Sequence, residues 1–205
     1  MAAYQIYTIF MVLLLIQSTF CKSLGDTANS TDSSTQEIQP KQDLLLYTAL
    51  TFLSIGQSYA DKAVNVSRLL LKDADLLAND QAEVLQFKSN LTQFVANYDG
   101  NKEAESIWDV MEIFVKITDY YYDLPEAKQT SESKFIVNLL NKYNFKEVEA
   151  HLIKEFENFV VSFKQLFEET KSYLEKPLLD WYEKFITLED TEEKIDAVGE
   201  FVELA

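Results

Sequence analysis

Between Leu152 and Tyr173 the large apolar side chains arrive with a single spacing. Leu152, Phe156, Phe159, Phe163, Leu166, Thr170 and Tyr173 step alternately by four and three. Ile153, Val160, Phe167 and Leu174 widen the stripe at every seventh residue. Only an α-helix gathers such positions on one side, because its period is about 3.6 residues. Lys154, Glu155, Glu157, Asn158, Lys164, Gln165, Glu168 and Glu169 take the opposite side. Asn144 stands three residues before Glu147, the arrangement of a capping box with Asn in place of Ser or Thr. A helix over 145–176 is about 48 Å long at ~1.5 Å per residue. Its apolar side carries Phe145 and four further phenylalanines, and it must be buried against other helices.

The rest of the chain from Asp43 onward repeats this pattern. One helix is predicted over about 43–72, with a stripe of Leu46, Leu50, Leu53, Gln57, Ala60, Val64, Ser67 and Leu71. A second over about 75–98 carries Leu77, Val84, Phe87, Leu91, Phe94 and Tyr98, with Asp73 or Asp75 as its cap. The break between these two is weak, whereas Asp99-Gly100-Asn101 is a strong stop. A third covers about 102–124, with Ile107, Met111, Phe114, Thr118 and Tyr121 in line, and Pro125 ends it. Thr130 to Ser133 turns into a shorter helix bearing Ile136, Leu139, Leu140 and Tyr143. Pro177 interrupts the long helix and starts the next, which carries Leu178, Trp181, Tyr182, Phe185 and Leu188. Asp190 caps a last helix that buries Ile195, Val198, Phe201 and Val202. With 4 Gly and 3 Pro in 205 residues, the chain lacks the turn residues of an all-β domain. The expected fold is all-α: a single bundle of five to seven amphipathic helices over 42–205, following a disordered N-terminal tail.

Ile9 to Ile16 is an unbroken apolar run, and Ser18-Thr19-Phe20-Cys21 follows it. This is the form of a secretory signal peptide over residues 1–21, with no Lys or Arg ahead of the run. Cleavage after Cys21 or Ser23 removes the only cysteine, so the mature protein is expected to be secreted and free of disulfides. Eight apolar residues are too few for a bilayer span, which takes about 20. Residues 22–41 crowd Ser and Thr between Gly25 and Pro40 and read as a flexible tail of a composition that carries O-glycans.

The net charge is −16. That excess repels phosphate backbones and anionic membrane surfaces, so neither nucleic acid nor a membrane is an expected partner. It suits a soluble extracellular monomer. No catalytic, cofactor or metal site emerges. The single histidine, His151, lies one residue before the long helix's stripe, where a structural role is expected. No G-x-S-x-G elbow or Gly-rich phosphate loop exists, since the glycines are Gly25, Gly56, Gly100 and Gly199. Asp99, Asn101 and Glu103 have the spacing of an EF-hand start. However, Ala104 stands where that loop needs Gly, and Val110 where it needs Glu.

Three N-glycosylation sequons begin at Asn29, Asn65 and Asn90. Aromatic residues make up 13% of the chain. Stacked phenylalanines either build a packed core or leave a space for an apolar ligand. The candidate lining of such a cavity is Trp108, Phe114, Tyr121, Phe156, Phe159, Phe163 and Phe167, with the two helices that carry them facing across a gap. In profile the chain is similar to secreted helical lipid carriers such as insect apolipophorin III, on its signal peptide, lack of mature disulfides and successive amphipathic helices. That resemblance implies a carrier of small hydrophobic or lipid molecules, within which the acidic charge favours a neutral ligand over a free fatty acid. The aromatic richness departs from it. The other expectation is a secreted interaction factor of the salivary, venom, reproductive-fluid or parasite-surface kind, which binds an extracellular protein and has a packed core. Neither is an enzyme. Edman sequencing of the secreted protein is expected to begin at Lys22 or Leu24, and a first residue of Met1 would overturn the secretory reading.

Overall fold

The computed structural model describes residues 35–100 and 107–204. The signal-peptide run, Cys21, Asn29 and the tail up to 34 lie outside the described residues, as do Asn101 to Ala104. The described residues form eight α-helices and no strand. In chain order they are α1 Thr35–Leu70, α2 Ala74–Ala78, α3 Ala82–Gly100, α4 Ile107–Tyr122, α5 Ser131–Lys142, α6 Phe145–Thr170, α7 Lys176–Phe185 and α8 Thr191–Leu204. Short 3₁₀ turns at Glu126–Lys128 and Lys171–Tyr173 complete them. No helix among these is long and apolar enough to cross a membrane.

The residues divide into two compact units. A terminal unit takes α1 up to Ser54, α6 from Ile153, and α7 and α8. A central unit takes 55–152: the rest of α1, α2 to α5 and the start of α6.

In the terminal unit the α6 stripe is the core. Phe156, Phe159, Phe163 and Phe167 are all buried, as their spacing predicts. Phe163 touches the rings of Phe159, Phe167, Trp181, Phe185 and Phe201 at centroid distances of 5.1–6.0 Å. Phe52 of α1 meets Phe156 and Phe159 edge-on. Tyr182 stacks on Phe167 at 4.0 Å. The indole Nε1–H of Trp181 donates to the Ala197 carbonyl at 2.9 Å, so the largest ring is buried with its polar atom satisfied. α8 buries Ile195, Val198, Phe201 and Val202, and the Asp190 carboxylate accepts from the Glu193 N–H, both as expected.

In the central unit, Val84, Phe87, Leu91 and Phe94 of α3 and Met111, Phe114, Thr118 and Tyr121 of α4 are buried. Thr130 caps α5 through a capping box with Ser133. Asp73 closes the turn between α1 and α2. Its Oδ1 accepts from the N–H groups of Asp75 and Leu76, and its Oδ2 from Lys142 Nζ and Tyr143 Oη, both at 2.7 Å.

Several expectations are corrected. α1 starts at Thr35, inside the stretch assigned to the tail, and carries Pro40 within it. Its early stripe is placed on the wrong face: Leu46 and Leu50 are exposed, while Leu44, Leu45, Thr48, Ala49 and Phe52 are buried. The segment is apolar nearly all round, so periodicity offers two faces, and the face bearing the large Phe52 and Tyr59 rings is the buried one. The predicted 75–98 helix is two helices, separated at 79–81. The short α2 has its own phase, which buries Leu76 and exposes Leu77. Asn144 takes φ 56°, a left-handed turn after α5, whereas a capping box needs an extended N-cap. The long helix ends at Thr170, and its last turn is 3₁₀, leaving Tyr173 exposed.

Phe159 lies at the centre of this packing, with four ring neighbours and 1% exposure. Phe159→Ala is expected to cost about 3–5 kcal/mol in urea unfolding. A loss under about 1 kcal/mol would show that the stripe bounds open space instead.

Candidate functional site

The sequence-predicted lining residues fall into two groups. Phe156, Phe159, Phe163 and Phe167 are brought together in the terminal unit, each within 6.0 Å of the next. Phe114 and Tyr121 belong to the central unit, in separate ring contacts. Phe114 meets Phe94 at 4.7 Å, Phe145 at 5.6 Å and Tyr59 at 6.4 Å, whereas Tyr121 meets Phe87 at 5.4 Å. The Trp108 side chain lies outside the described residues.

The central unit has an open cleft of about 420 Å³ between α3 and α4. Ile117, Tyr120 and Tyr121 give it apolar surface, and Glu83, Gln86, Asn90 and Lys116 give it polar surface. Its polar groups are already engaged: Gln86 donates to Asn90 at 2.8 Å, and Glu83 accepts from Thr130 at 2.8 Å. Asn90 is therefore half-buried in a cleft wall. Asn65, the other described sequon residue, faces solvent on α1.

Deeper in the same unit is a polar cluster that spacing did not reveal. The rings of Tyr59 (α1), Phe114 (α4), Phe145 (α6) and Tyr122 (α4) form a chain of contacts, the last pair stacked at 5.5 Å. Asp119 lies on α4 between Phe114 and Tyr122, and Glu149 lies one turn after Phe145. The Ser58 hydroxyl and His151 Nε2, 3.1 Å apart, fix the register of α1 against the start of α6. Tyr59 is 1% exposed, and neither its Oη nor Oδ2 of Asp119 has a hydrogen-bond partner.

The electrostatics follow from that lack. Burial, reinforced by the charge of Asp123, pushes Asp119 up to about 6. Burial, reinforced by Asp119, pushes Glu149 up to about 7, and the Lys146 ammonium only partly opposes this. Burial and then the charges of Glu149 and Asp119 raise the Tyr59 hydroxyl well above its ordinary 10.0. Such a signal was not legible locally, because these three residues come from three helices and share no motif.

Ser58 and His151 have the reach of a nucleophile and its base. Ser58, however, lies in the interior of α1, where the backbone N–H groups that form an oxyanion hole are consumed by the helix ladder. Among the described residues, no three His, Cys, Asp or Glu side chains gather to hold a metal ion. No protein-family model, curated protein or solved structure matches this chain.

Asp73 shows the opposite behaviour. Hydrogen bonds from Lys142 and Tyr143, with the two backbone N–H groups, hold its carboxyl well below the ordinary 3.8. A depressed folded pKa contributes stability that is present above the unfolded value and lost as pH falls below it. The urea midpoint is therefore expected to drop between pH 5 and pH 3, and to change much less over that range in Asp73→Asn. An equal acid slope in both proteins would remove Asp73 as the cause.

Proposed function

We propose that this protein is a secreted, non-enzymatic helical binding protein that acts as a monomer and recognises an extracellular protein through its surface. The observation that supports this reading is the environment of Phe163, which is filled by five other rings. An aromatic stripe satisfied by its own neighbours is a scaffold, and recognition then falls to the outer faces. Leu46 and Leu50, one turn apart on α1, remain 40% and 57% exposed and offer apolar contact area there. The acidic charge keeps such a protein soluble and away from nucleic acid.

A second reading, a carrier of small hydrophobic or lipid molecules, draws on the cleft beside Ile117, Tyr120 and Tyr121. The two readings differ in one measurement. Delipidated protein is mixed with fatty acids, retinoids and sterols while tryptophan emission and melting temperature are followed. Surface recognition predicts no change in either. A ligand that stabilises by mass action and shifts the emission selects the carrier and overturns the first reading. Organic extraction of the protein from its native fluid is expected to yield no stoichiometric lipid.

A further inference from the structure

We propose that Tyr59, Asp119 and Glu149 form a binding site for the ammonium group of a small organic cation. The site is independent of the surface-recognition reading, because it lies within the central unit and uses none of the outer apolar residues.

Three observations converge on it. The first is the pair of orphaned atoms. A buried hydroxyl and a buried carboxylate oxygen without partners cost stability, and each calls for an explanation. Tyr59 Oη can accept as well as donate, the charged Asp119 Oδ2 accepts only, and an alkylammonium carries up to three donors. The second is position. Asp119, Glu149 and Tyr122 are half-buried at the margin of the central unit, while Tyr59 is 1% exposed beneath them in the same run of rings. The third is the wall. An ammonium already rests on it: Lys146 Nζ sits 5.6 Å from the centre of the Tyr122 ring. Aromatic faces attract ammonium ions through the ring quadrupole, and Phe114, Phe145 and Tyr122 form a continuous run of rings on the helices that carry the two carboxylates. Lys146 moderates Glu149, but Asp119 Oδ2 remains without a donor. Two carboxylates and a phenol among rings suit an organic cation better than a metal ion, and no metal-holding group forms among the described residues.

The electrostatics give the site a pH dependence. Among the described residues, the charged and titratable groups facing it are Tyr122 on α4, Asp123 just after it, Lys146 on α6 and Tyr59 on α1. Raised carboxyl values mean that the empty folded state binds protons the unfolded chain releases. Stability from these groups is thus present at low pH and is lost as pH rises toward about 6 and 7. A bound cation replaces those protons, so affinity should increase over the same range.

The test uses the mature secreted protein, with phenethylammonium and propylammonium as probes and 2-phenylethanol as the neutral control, at constant ionic strength. Phenethylammonium or propylammonium is expected to raise the melting temperature at pH 8 and to do so less at pH 5. Calorimetric affinity at pH 8 is expected to fall about tenfold or more in Asp119→Asn and in Glu149→Gln, the scale of losing one charged partner. Both variants are expected to fold, and without ligand to melt higher than the parent at pH 8. Tyr59→Phe keeps the ring packing and should weaken binding alone. The proposal is overturned if neither cation shifts melting at millimolar concentration. It is equally overturned if 2-phenylethanol stabilises as well as its amine counterpart, or if Asp119→Asn and Glu149→Gln both keep the parent's affinity.

Discussion

Contact between aromatic rings is the interaction on which both units depend. Phe163 in the terminal unit and Phe114 in the central unit each join rings from several helices, mostly in edge-on or tilted pairs. Such geometry sets the positive edge of one ring on the negative face of the next, worth about 0.5–1.5 kcal/mol per pair beyond the area buried. Rings are also stiff, so they fix helix positions more firmly than an equal volume of Met or Leu. A chain with one cysteine has no internal disulfide to hold its helices together. Here the hydrogen bonds from Trp181 and Tyr182 to backbone carbonyls let even the polar aromatics join the core.

How much of this could be read from sequence depended on how one-sided each helix is. α6 alternates a strict apolar stripe with charged residues, so its burial pattern was legible residue by residue. α8 was equally clear, and so was the Val84–Phe94 stripe of α3, but not the break at 79–81 ahead of it. The start of α1 was not, because Leu44, Leu45 and Leu46 are consecutive and any rotation of the helix buries one of them. Only packing partners such as Phe156 and Phe159 decide that Phe52 faces inward. Local backbone chemistry misled in a different way. Asn144 before Glu147 satisfies the spacing of a cap, yet Asn also tolerates positive φ, and the tight α5–α6 turn uses that second property.

The candidate sites were legible to a smaller degree. The α6 phenylalanines were identified and are clustered, but with one another and with rings of α1, α7 and α8. The polar cluster was missed entirely. Tyr59, Asp119 and Glu149 are each unremarkable in their own helices, and only the fold brings their charges within mutual influence. Position offers Asp73 or Asp75 as the cap without choosing between them, and the bonds of Asp73 to Lys142 and Tyr143 span 69 and 70 residues and have no local trace.

Two aspartates of the central unit, Asp73 buried and Asp119 half-buried, show what these long-range partners decide. Burial pushes both carboxyls upward. At Asp73, two side-chain donors and two backbone N–H groups reverse the effect, and the charge becomes a structural tie. At Asp119 no donor reaches the buried oxygen, the like charge of Asp123 adds to the penalty, and Asp119 in turn raises Glu149. With 34 acidic residues, the chain has ample solvated surface for carboxylates at little cost. A carboxylate held beside a second one and an unpartnered phenol does nothing for the empty fold. It lowers stability at neutral pH; protonation removes that penalty, and the proposed cation would turn it into a contact. The difference between Asp73 and Asp119 is therefore the difference between a charge the fold uses and a charge it leaves for something else.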